Sequence, residues 1–189
     1  MPLSPPRTDA RPPLRRAALT VLLVCALTLG AVGCGPKDKS AGSSAVPSAT
    51  SSAERQKFAK TRFVTNAGLA AGATYQWIVK PFRAGKFKKG ADGRTFALVK
   101  AGLAGAFTYD RLKAAVRNAK GDPTLAKAVA PLSSGIESLK NLGGKLRKGQ
   151  VDGTEVGAFQ NVIKDVKGAG SSAGAQVTDK VPSVSQLGG

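Results

Sequence analysis

Histidine is missing from all 189 residues, which removes the commonest general base and the commonest metal ligand. Cysteine occurs only at Cys25 and Cys34, so nothing beyond residue 34 supplies a thiol. Acids are scarce, 11 against 29 basic residues, and they are scattered without an Asp-x-Asp or Glu-x-x-Glu cluster for a metal. No Gly-Lys-Ser or Gly-Lys-Thr marks a phosphate cradle. Gly170-Ser171-Ser172-Ala173-Gly174 matches a hydrolase nucleophile turn in letters only, because no strand precedes it and no histidine exists to activate Ser172. Beyond residue 34 no Ser-x-x-Lys pair occurs either. An enzyme of this sequence would have to work with Lys, Asp, Glu, Ser or Tyr alone, and the expectation is a non-enzymatic protein with no cofactor and no metal.

What is present begins with a processing signal. Arg7, Arg11, Arg15 and Arg16 face one acid, Asp9, and Ala17 to Val32 then make an uncharged run of 16 residues. That is the length of a signal peptide and short of the about 20 residues a spanning helix needs. The run closes on Ala31-Val32-Gly33-Cys34, which resembles the lipobox of bacterial lipoproteins, with Ala31 where Leu is usual. The resemblance implies diacylglyceryl transfer to the Cys34 thiol, cleavage between Gly33 and Cys34, and a protein anchored by lipid on the extracytoplasmic face of the cell membrane. Acylation of Cys34 would leave no internal disulfide. Arg15-Arg16 keeps twin-arginine export open beside the general secretory route. The heavy use of Ala, Gly and Arg resembles proteins of high-GC Gram-positive bacteria.

Residues 1–33 are thus read as a signal peptide and residues 34–53 as a lipidated cysteine with a linker. The linker carries six serines and no large apolar residue except Val46, so it cannot bury a core. As a flexible coil it spans about 24 Å. A basic helical domain is expected over 54–168. Ser51 to Glu54 has the spacing of a capping box, and a first helix is predicted over roughly 52–80, ended by Pro81. A second is predicted to follow Asp92 from Arg94 to Lys120, and Asp122-Pro123 reads as the start of a third. There Leu125, Val129, Leu132, Ile136, Leu139, Leu142 and Leu146 form one helical stripe, with a kink at Pro131 and an end or break at Gly143-Gly144. A fourth helix is predicted after the capping spacing of Asp152 and Glu155, with Val156, Phe159, Ile163 and Val166 inward and Gly168 as its end. Residues 169–189 read as a loose, flexible C-terminal tail whose hints of docking are Val177, Val181, Val184 and Leu187. The fold class expected is all-α, a small bundle of about four helices.

The segment Ala67 to Tyr75 recurs 34 residues later as Ala101 to Tyr109, with six of nine positions matching. Small residues four apart, Gly68 with Gly72 and Gly102 with Ala106, predict that the first two helices pack through those faces. Phe63 to Val79 carries no charge, which keeps membrane insertion of this hairpin in view, although Asn66, Gln76 and Lys100 dilute it.

Charge is the remaining signal. Residues 34–189 carry a net +15, and Arg55 to Lys120 alone carries 15 basic residues against Asp92 and Asp110. The connection between the first two helices is densest, with Lys80, Arg83, Lys86, Lys88, Lys89 and Arg94 opposing Asp92 and with Phe82 and Phe87 among them. These six are the expected anion-binding residues. For a protein outside the cytoplasm the fitting partners are anionic lipid head groups, anionic wall polymer or a partner protein. Nucleic acid satisfies the same charge but not the location. An accessory or substrate-capturing subunit of a membrane machine is the alternative reading.

Overall fold

A computed structural model describes residues 51–188, and all of its regular structure is helical. The expected leader, the expected cleavage junction at Gly33–Cys34, the expected acylation site and most of the expected linker lie outside the described residues. Helix α1 (Ser52–Thr74) begins with a reciprocal cap: the Glu54 amide donates to the Ser51 hydroxyl at 3.2 Å, and the Ser51 amide donates to the Glu54 carboxylate at 3.0 Å. Pro81 does not end the helix. One π turn, Tyr75–Val79, carries it into α2 (Lys80–Arg83). The Lys80 amide there reaches back five residues to the Tyr75 carbonyl, so Pro81, which has no amide to donate, enters a ladder already widened.

Helix α3 (Arg94–Ala119) lies antiparallel to α1. Gly93, in the left-handed region at φ 68°, starts it, and the neighbouring Asp92 makes no cap. Asn66 meets Arg111, and the Thr74 and Thr108 hydroxyls pair at 3.1 Å in the buried middle. Those two threonines are the same position of the repeated segment. The glycines, however, do not face the partner helix. A Cβ on Gly68 would lie 2.5 Å from the Thr178 carbonyl oxygen, and one on Gly102 would lie 2.7 Å from Cβ of Arg147. The small residues open the outer sides of the hairpin to third elements, while Ala67, Ala70, Ala101 and Ala104 fill the buried interior.

The long apolar stripe is broken into three short helices, α4 (Pro123–Val129), α5 (Ser133–Ser138) and α6 (Leu142–Arg147), with 3-10 turns at Ala130–Leu132 and Leu139–Asn141 between them. Its burial survives the breaks: Leu125, Val129, Ile136, Leu139 and Leu146 are all in the core. Gly143 neither ends nor breaks α6 and instead lets it cross α3, with its Cβ position 2.9 Å from the Ala106 amide nitrogen. Helix α7 (Gly153–Ser172) carries the expected cap at Asp152 and Glu155 but passes through Gly168 and stops near Gly174, at φ 65°.

The segment expected to be a loose tail is packed. From Ala173 to Pro182 it runs without helix across α1, where the Lys180 amide donates to the Gly68 carbonyl at 2.9 Å and Trp77 Nε1 donates to the Pro182 carbonyl at 3.3 Å. It ends in α8 (Val184–Leu187), capped by Ser183 and Gln186. Ala173, Ala175, Val177, Pro182 and Leu187 are buried, whereas Val181 and Val184 are exposed. Among the described residues no helix is long and apolar enough to cross a membrane. The uncharged face of α1 is covered by protein, with Phe63, Ala67, Ala70 and Ala73 in the common core.

Candidate anion-binding surface

The connection between α2 and α3 is shaped by three glycines with positive φ, Gly85 at 69°, Gly90 at 81° and Gly93 at 68°. At the first of them the Lys86 amide donates to the Pro81 carbonyl at 3.0 Å, closing the helix end in the six-to-one pattern that glycine favours. Phe87 then turns inward, 8% exposed, and packs on half-buried Phe82 with ring centres 6.3 Å apart. Neither ring is presented to a surface ligand. Because Phe87 is inside, Lys86, Lys88 and Lys89 point outward, and Lys80 and Arg83 are exposed beside them.

Arg94 differs from the other five. Its Nε donates to the Phe87 carbonyl at 2.9 Å, and its guanidinium lies over Gly149, where a Cβ would come 2.7 Å from Nη2. It clamps the loop. The described ion pairs join Lys60 to Asp122, Lys113 to Glu137, Lys145 to Glu155 and Lys167 to Asp179, so none draws on the exposed lysines of the connection.

Beside these lysines lies a groove of about 350 Å³ floored by Trp77, Pro81, Phe96 and Ala97 and edged by Lys80, Lys86 and Lys100, with Asp92 as its one acid. Phe96 is 64% exposed. Lys100 Nζ stands 4.0 Å from the centre of its ring and 5.1 Å from that of Trp77. Sequence reasoning missed Trp77, Phe96 and Lys100 as one group. Phe96 and Lys100 are four apart on α3, a readable signal. Trp77 joins them only through the register of the hairpin.

No family model, curated protein or solved structure matches this chain.

The other polar cluster is Tyr109, Lys113 and Glu137, on α3 and α5. Tyr109 donates to a Glu137 oxygen at 2.8 Å, and Lys113 pairs with the other oxygen. The hydrogen bonds from Lys113 and then Tyr109 hold the Glu137 carboxyl below its usual 4.5. The hydrogen bond to Glu137, with desolvation and the carboxylate's charge, raises the Tyr109 phenol above 10.0. A tyrosine raised in this way keeps its proton, which suits a tie between helices and not a base. Among the described residues no three acidic or thiol side chains gather as a metal site would require.

Proposed function

We propose that this chain is a lipoprotein, anchored through Cys34 on the extracytoplasmic face of the cell membrane, whose helical domain binds an anionic polymer of the envelope without chemical turnover. The observation that carries the reading is the groove edged by Lys80, Lys86 and Lys100 over Trp77 and Phe96, with Arg83, Lys88 and Lys89 exposed nearby. Cations over an aromatic floor suit a repeating unit with an anionic group and an apolar face. Lysine ammonium groups act as point charges toward phosphate or carboxylate. The connection lies at the end of the hairpin opposite Ser51, where α1 begins.

The test uses residues 35–189 and purified anionic wall polymer. Binding is expected to fall steeply with salt, since exposed charges are screened beyond about 8 Å at physiological ionic strength. Replacing Lys80, Lys86 and Lys100 with Gln removes three charges, about 3 kcal/mol at about 1 kcal/mol each and roughly a hundredfold in affinity. Unchanged binding in that variant, with its helical spectrum intact, sinks the reading. Loss confined to F96A would favour an apolar protein partner. Anchoring is tested separately: Cys34→Ser should abolish incorporation of a labelled lipid precursor.

A further inference from the structure

The opposite end of the hairpin carries a second basic surface, which the sequence did not single out. A groove of about 490 Å³ lies between the first turns of α1 and the last turn of α3, lined by Arg55, Phe58, Arg62 and Arg117. Phe58 is 57% exposed among them, and the three arginines are exposed as well. Arg62 and Arg117 stand in none of the described ion pairs, whereas Arg55 has an interaction of its own. Glu54 accepts the Ser51 amide, and Asp122 accepts the Leu125 amide at 2.8 Å while pairing with Lys60 at 3.6 Å. Guanidinium groups match phosphate oxygens two at a time, and an aromatic ring among them suits the layer between head groups and acyl chains.

The chain itself says what this end meets. Ser51 opens α1, with only 16 residues between it and Cys34. Phe58 and Arg62 lie within about three turns of Ser51, whereas Lys80 lies about 40 Å from it along the helix at 1.5 Å per residue. We infer that the Phe58, Arg62 and Arg117 end docks on the anionic phospholipid bilayer that holds the tether, standing the hairpin up with the Trp77 groove away from the membrane. The inference rests on acylation of Cys34 for the membrane's identity, and on the arginines and Phe58 for the face that meets it.

The sole tryptophan, Trp77, sits in the distal groove and reports orientation directly. The acylated full chain is reconstituted into vesicles of phosphatidylglycerol and phosphatidylcholine with brominated acyl chains, which quench nearby tryptophan. Trp77 emission should be unaffected. The double substitution F58W/W77F should be quenched, and adding R62Q/R117Q should weaken docking about thirtyfold, as should raised salt. R62K/R117K should restore most of the quenching, and circular dichroism checks that each variant is folded. Quenching of Trp77, no quenching with F58W/W77F, or quenching indifferent to salt and to the arginines overturns the inference. The anchor is read independently by flotation in high salt, where docking is screened: a chain that leaves the vesicles there, or a C34S chain that floats equally well there, refutes acylation, while quenching at low salt still reports the docking face.

Discussion

A methyl group on Gly72 would sit 2.1 Å from the carbonyl oxygen of Lys180, a distance no packing adjustment of side chains can relieve because the opposing atoms are backbone. Gly72→Ala should therefore lift residues 178–182 from α1, at a cost of about 1–3 kcal/mol or more. The melting temperature should drop, and Trp77 emission should shift as its bond to the Pro182 carbonyl is lost. Asp122 offers a complementary test, since it is buried, caps α4 and pairs with Lys60. Asp122→Ala should cost about 1–2 kcal/mol in chemical denaturation and Asp122→Asn less, because asparagine still caps. Glu137 makes the pH case. Its folded-state carboxyl titrates below the usual 4.5, so its contribution to stability is complete above that value and is lost as pH falls through the lower folded value. The stabilities of the parent and E137Q should converge in strong acid and separate above the carboxylate range.

Helix α6 places two glycines side by side in opposite circumstances. A Cβ on Gly143 would press on the Ala106 amide and the Gly102 carbonyl, whereas Gly144 has nothing within 4 Å of its Cβ position. Gly143→Ala should push α6 off α3 and destabilise the protein by about 1–3 kcal/mol, and Gly144→Ala should stabilise it by about 0.5–1 kcal/mol through helix propensity. Thermal melts of the two variants should shift in opposite directions. The pair also shows what could be read ahead of the fold. Caps at Ser51–Glu54, Asp122 and Asp152–Glu155 were legible because each is completed within three residues of chain. The stripe from Leu125 to Leu146 was legible as burial but not as shape, since short 3-10 turns keep a similar spacing while bending the axis. The two glycines are indistinguishable locally, and only the crossing with α3 separates them. The site divides similarly. Its lysines stand in the sequence as a run, yet Phe82, Phe87 and Phe96 share that composition and only packing decides that Phe96 alone is outside.

At the scale of the molecule, the C-terminal segment from Ala173 to Leu187 is a packed part of the bundle. Ending the chain after Ser172 would uncover Phe63, Gly68 and Gly72 and remove Val177, Pro182 and Leu187 from the core. Such a truncation should melt at a lower temperature, bind a hydrophobic dye and be cut readily by protease within α1. Removing Gly188 and Gly189 alone should leave the melt unchanged. The same segment imposes an order in time. Trp77 is bonded to a carbonyl 105 residues later in the chain, and the outer face of α1 is covered by residues 178–181. On a ribosome α1, the first of the described helices to emerge, is therefore the last to be completed. Until the final stretch arrives, α1 offers an open backbone groove, so a chaperone or a neighbouring copy would find it there, and a stalled chain would differ from a finished one at the earliest-made of the described helices.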